Sequence, residues 1–166
     1  MDGPSRSEAA CEPGSTGCAR AEDWPDETRL VIPGDPMAVR IGLQALFETI
    51  MMRSLPEEGR GTAEIVLAEA LNNVVEHAYA RHAGDIEITL RLSGSELFCK
   101  IVDTGLPMPD GSLPAGVLNR LAEGAPPPEG GFGWFLIRTL SRDLEYRRVG
   151  ACNLLSFRLE TGQTTG

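Results

Sequence analysis

Leu67-Ala-Glu-Ala-Leu-Asn-Asn-Val-Val-Glu-His-Ala-Tyr79 is the stretch on which the reading of the fold turns. Its apolar residues (Ala70, Leu71, Val74, Val75, Ala78), continued upstream by Ile65 and Val66, recur at helical spacing. One helix is therefore expected from about Glu57 to Arg81. Glu69, Asn73 and His77 stand four apart, drift only about 40° per step and share one face of that helix. A polar triplet beside an apolar stripe is also how a solvated helix face looks. Its chemical reading is sharper. An asparagine amide oxygen can complete a magnesium shell otherwise filled by phosphates and water. A carboxylate one turn away can take a proton from an attacking hydroxyl or water.

Upstream, Thr28-Arg-Leu-Val-Ile32 is a short β-rich run closed by Pro33-Gly34. Asp35 then serves as an N-cap with Pro36 at the first helical position, and an amphipathic helix is expected to end near Ser54-Leu55-Pro56. Downstream, Ile86–Leu92 and Leu97–Val102 alternate apolar and polar residues around Ser93-Gly94-Ser95, the pattern of a β-hairpin. Residues 104–130 hold six of the twelve prolines, a length and composition that suit a functional lid or a disordered loop. A short helix from Trp134 to Ser141 and two strands near Leu144–Val149 and Asn153–Leu159 close the chain.

Consecutive strands joined by tight turns pair antiparallel. The fold class expected is α+β: a two-layer sandwich whose mixed, mostly antiparallel sheet is covered on one face by helices. Residues 1–27 are expected to be a disordered acidic tail. A single domain then spans 28–160, followed by a short tail at 161–166.

Composition narrows the function classes. The chain has 166 residues, 42% hydrophobic and 23% charged, with a net charge of −9. That suits one soluble globular domain and argues against nucleic acid or an anionic membrane as main partner. No apolar run is long enough for a membrane span, and no signal peptide is evident, so a cytoplasmic location is expected. Cys11, Cys18, Cys99 and Cys152 form no C-x-x-C pair; Cys11 and Cys18 could be a redox or metal pair but read as incidental thiols of the tail.

Two further stretches carry chemistry. Asp103 ends an apolar strand and enters Thr104-Gly105. This can be a plain turn, or a carboxylate placed to accept the exocyclic amine of adenine, with Gly105 leaving room for the base. Gly130-Gly131-Phe132-Gly133 precedes Trp134-Phe135-Leu136-Ile137, placing glycines at a helix N-terminus where backbone N–H groups favour phosphate. Glycines also cap ordinary loops. A dinucleotide fold is excluded because no strand precedes these glycines in a βαβ unit, and a P-loop because the only lysine, Lys100, lies inside a strand. With only His77 and His82, zinc sites and Ser-His-Asp triads are excluded as well.

In this order the three stretches resemble the GHKL (histidine-kinase-like) ATPase superfamily, and most closely its small bacterial anti-sigma-factor serine/threonine kinases. The likeness runs from about Leu30 to Leu159. Leu67–Tyr79 is similar to the family's N-box, Ile101-Val-Asp-Thr-Gly-Leu-Pro107 to its adenine motif, and Gly131-Phe-Gly-Trp-Phe-Leu-Ile137 to its glycine motif. The resemblance implies the Bergerat fold, ATP and Mg2+ as cofactors, Glu69 as general base and Asn73 as magnesium ligand. It also implies Asp103 and Gly105 at adenine, and Gly131 and Gly133 turning the lid around the phosphates. It further implies transfer of the γ-phosphate to a serine of an anti-anti-sigma (STAS-domain) protein, binding of a sigma factor and a homodimer. The first helix, around Arg40 to Arg53, is the expected partner surface. The chain departs from the pattern in its lid, where Pro126–Pro128 and a single cation, Arg120, stand. Phosphoryl transfer uses positive charge against the γ-phosphate. The alternative is thus an ATP-binding switch that holds a partner without transferring phosphate. The catalytic half of a histidine kinase is disfavoured because no phosphoacceptor helix pair precedes the N-box.

Overall fold

The computed structural model describes residues 27–116 and 132–162. Strand β1 (Glu27–Pro33) leads into α1 (Pro36–Phe47), a short α2 (Ile50–Arg53) and the long α3 (Glu57–Asn73), which continues as a π-helical turn over Val74–Ala78. The hairpin β2 (Asp85–Ser93) and β3 (Glu96–Asp103) comes next, then a 3-10 turn at Pro109–Gly111. Helix α4 (Phe132–Leu140), β4 (Arg142–Val149) and β5 (Cys152–Glu160) complete the described fold. The sheet order is β1-β2-β3-β5-β4.

All four pairings are antiparallel. The α+β two-layer architecture is as expected, but no parallel pair occurs among the described strands. The reason is the position of β5. Strands β3 and β4 run in the same direction on either side of the α4 crossover, and β5 slots between them, opposed to both.

Alternation decides which face is dry. Ile86, Ile88 and Leu90 of β2, Leu97, Cys99 and Ile101 of β3, and Leu155, Phe157 and Leu159 of β5 are buried on one face. They form one core with Val66, Leu67, Ala70 and Leu71 of α3, Leu46 and Phe47 of α1, and Trp134 and Ile137 of α4. Each large side chain among them stabilises the fold by roughly 1.5–3 kcal/mol. Burial also pushes the Cys99 thiol well above its ordinary range, so it is a packing residue and not a reactive one. The opposite face is polar: Arg29 pairs with Glu87 at 2.5 Å, Arg158 with Glu96 at 2.8 Å, and Arg91 lies over the Phe98 ring at 4.5 Å.

Two helix readings are corrected. Asp35 does cap α1, accepting from the Ala38 N–H at 2.9 Å with Pro36 in the first turn. The helix stops at Phe47, however, because Thr49 is extended and its hydroxyl caps α2 by accepting from the Met52 N–H. The helix begun at Glu57 ends in the π turn, not at Arg81: the Tyr79 N–H reaches back to Val74 O at 3.0 Å. The wider turn keeps His77 near the face of Asn73, and both line one cavity. Glu69 and Asn73 stay half-buried, whereas His77 is exposed.

Tyr79 then pins the chain where helix, hairpin and β1 meet. Its hydroxyl donates to Asp85 O at 2.6 Å and accepts from the Thr104 N–H at 3.0 Å. A Cβ at Gly34 would fall 2.2 Å from the Tyr79 ring, and one at Gly84 2.5 Å from it. The ring is held from two sides and has nowhere to yield. Gly34→Ala is accordingly expected to cost about 1–3 kcal/mol of stability, read as a lowered urea midpoint at unchanged slope. At the far end, Thr161, expected in the C-terminal tail, is buried and bonded through its N–H to Ser95 O at 2.8 Å.

Candidate nucleotide site

The three sequence stretches meet at the edge of the core. Glu69 and Asn73 project from α3 toward the start of α4. A Cβ at Gly133 would lie 2.6 Å from Glu69 Oε2 and 3.7 Å from Asn73 Nδ2, so the first turn of α4 lies directly against this pair and a side chain there would displace the Glu69 carboxylate. Gly133 therefore sits inside the helix and not in the loop before it. Gly131, like Arg120, Pro126–Pro128, Cys11 and Cys18, lies outside the described residues. The Asn73 amide nitrogen is buried with no hydrogen-bond partner. An unpaired buried amide is costly and calls for a ligand or another reason. The orphaned NH2 is a hydrogen-bond donor that suits a phosphate oxygen, and the amide oxygen of the same side chain is the atom a magnesium would take.

Asp103 occupies the other end of the site, at the end of β3 and only 5% exposed. Its Oδ1 accepts from the Gly105 N–H at 2.8 Å and from Asn153 Nδ2 at 2.7 Å. Among the described residues, Oδ2 takes no hydrogen bond and is left as an acceptor. Gly105 has a packing reason of its own. A Cβ there would lie 2.5 Å from Ala78 O, the carbonyl that also accepts from the Leu106 N–H at 2.8 Å. The end of the α3 segment and the loop after β3 are thus joined backbone to backbone.

Asn153, Tyr146 and Arg148 are not apparent as site residues from sequence. Asn153 is buried on β5 and its Nδ2 also donates to Leu106 O at 2.9 Å. Its Oδ1 accepts from the Tyr146 hydroxyl at 2.7 Å and from Arg148 Nη1 at 2.9 Å. A buried asparagine on a strand that alternates apolar and polar residues carries a weak signal. Its partners on the neighbouring strand carry none.

Burial pushes the Asp103 carboxyl up from its ordinary value of 3.8, while hydrogen bonds from Asn153 and Gly105 and the charges of Arg148 and His82 oppose the shift. With the folded pKa raised, the folded state binds more protons than the unfolded chain between the two values. Asp103 therefore lowers stability as pH rises through that window, and its effect is constant above it. The stability of the wild type relative to Asp103→Asn should fall across that window and then level off, measured by urea unfolding in a pH series.

The cavity between Asp103, Asn73, His77, Met108 and Trp134 is about 40 Å³. Ligand pockets are usually roughly 300–1,000 Å³, so the described residues enclose only part of the room a nucleotide needs, and residues 117–131 lie outside them. A roomier groove of about 580 Å³ lies between α1 and α3, lined by Arg40, Glu48, Arg60 and Glu64. It is remote from Asp103, and its charges are mixed in sign.

A model of the histidine kinase-like ATPase domain matches residues 32–159. The chain belongs to this family. Among individual proteins, it is 33% identical over 86 residues to the serine-protein kinase RsbW of Bacillus mycoides strain KBAB4. It is 34% identical, over the same number of residues, to RsbW of Bacillus cereus strain B4264. In each case the match covers 49% of this chain and 52% of the relative. The chain therefore spans about half the length of the curated relatives it matches. Every element around the site of this family member, from β1 to β5, falls within or borders the matched domain. No helix among the described residues is long and apolar enough to cross a membrane.

Proposed function

We propose that this protein is an ATP-dependent serine protein kinase that acts as an anti-sigma regulatory factor. It phosphorylates a serine of a STAS-type anti-anti-sigma protein and, in its other state, holds a sigma factor. The observation that carries the reading is the juxtaposition of Glu69, the unpaired Asn73 amide and Gly133, with the free acceptor of Asp103 at the other end of the cavity. One end suits phosphates and the other suits an amino-purine.

In this reading Asp103 Oδ2 accepts the exocyclic amine of adenine, and Gly105 keeps the loop clear of the base. Gly131 and Gly133 let the lid turn around the phosphates. Asn73 is the protein ligand for Mg2+, which when bound neutralises phosphate charge. Glu69 takes the proton of the substrate serine as its oxygen forms a bond to the γ-phosphorus. The bond from that phosphorus to the β–γ bridging oxygen breaks, and ADP leaves. The protein acts in the cytoplasm as a homodimer, with the exposed side of α1 as its partner surface.

One observation favours a second reading, an ATP-binding switch that sequesters its partner without transferring phosphate. Among the described residues lining the cavity, none is Lys or Arg. Positive charge is what phosphoryl transfer asks of a protein. The two readings separate on incubation of the wild type with γ-labelled ATP, magnesium and a cognate STAS-domain protein. Label on the acceptor serine supports the kinase. Saturable ATP binding without transfer supports the switch.

A further inference from the structure

We propose that Tyr146, acting through Asn153, is a positioning residue for the adenine end of the site and helps set its preference for a base that carries an exocyclic amine. The inference rests on the nucleotide-binding reading above and extends it to two strand residues that line no phosphate contact.

The Asn153 amide is held at both ends. Two donors converge on its oxygen, the Tyr146 hydroxyl and Arg148 Nη1. Two acceptors lie closest to its nitrogen, Asp103 Oδ1 and Leu106 O, with Gly105 O more distant at 3.4 Å. The four partners fix one orientation, because a flipped amide would set oxygen against oxygen on the Asp103 side and nitrogen against donors on the other. The Tyr146 hydroxyl does a second job by accepting from the Met108 N–H at 3.0 Å. Arg148 Nη1 likewise donates to Gly105 O at 2.8 Å. One clamp thus holds the loop from Gly105 to Met108 and, through Asn153, engages Asp103 Oδ1.

The consequence is directional. With Oδ1 held by Asn153 and Gly105, Asp103 presents Oδ2 as a fixed acceptor. A purine with an amine at C6 donates to it. Inosine carries a carbonyl there, and two acceptors repel. The ratio of ATP to inosine triphosphate affinity therefore reports how firmly Asp103 is aimed. A loss of general stability would weaken both nucleotides alike and leave the ratio unchanged.

The test is calorimetric titration of the full chain with ATP and with inosine triphosphate, each with magnesium. Tyr146→Phe keeps the ring and removes one neutral hydrogen-bonding group, so ATP affinity should fall about three- to tenfold. Inosine triphosphate affinity should change by less than about twofold, so the ratio shrinks. Arg148→Gln, at an exposed strand position, removes the other donor and should shrink the ratio in the same direction. It carries the test if Tyr146→Phe does not fold. A wild type that prefers ATP, with the ratio unchanged in the folded variants, overturns this inference alone. A wild type that binds neither nucleotide overturns it together with the function it rests on.

Discussion

Glu69→Gln is expected to slow phosphoryl transfer by about 10²–10⁴-fold while changing ATP affinity by no more than about threefold. The range is what a positioned general base contributes. Glutamine keeps the length and shape of the side chain against the start of α4, where even a Cβ on Gly133 would come within 2.6 Å of Glu69 Oε2. Nucleotide contacts that depend on Asn73 and Asp103 are left in place. The split between rate and affinity marks the role. A residue that merely supported the fold would move both, and a residue that bound ATP would move the affinity first. Single-turnover transfer from γ-labelled ATP measures the rate, and titration under the same conditions measures the affinity. An unslowed variant would remove Glu69 from the chemistry.

Asp103→Asn should have the opposite profile, with ATP affinity falling by about 100-fold or more. The charged acceptor for the amine is lost, at about 1.5–3 kcal/mol. In addition, the new amide meets two donors, the Asn153 Nδ2 and the Gly105 N–H. Satisfying both fixes its oxygen on that side and turns its NH2 toward the adenine amine, donor against donor. The apo protein should melt no lower than the wild type, because burial already disfavours the carboxylate form of Asp103.

The parts of this molecule that are legible in its sequence are those written in local chemistry. The alternation at Ile86–Leu92 and Leu97–Val102 and the Ser93-Gly94-Ser95 turn point to the hairpin. The Asp35-Pro36 pair marks the start of α1, and four-residue spacing brings Glu69 and Asn73 to one side of α3. The break at Thr49 is hidden because a threonine within an apolar helical run carries no strong stop signal. The π turn at Val74–Ala78 is hidden because the spacing before it is ordinary. The place of β5 between β3 and β4 is a tertiary choice, invisible to a reading that pairs each strand with its sequence neighbour. The clamp on Asp103 is concealed for a similar reason. Asn153 reaches a carboxylate 50 residues earlier, and Tyr146 reaches a backbone N–H 38 residues earlier. Nothing local in β4 or β5 announces either contact.

The central claim is that the space between the end of β3 and the Glu69–Asn73 pair is an ATP site. Equilibrium titration of the wild type with ATP, first with magnesium and then with magnesium chelated, tests it most directly. One site per chain is predicted, with affinity weakened at least about tenfold when the metal is removed. No saturable ATP binding in either condition would contradict the claim.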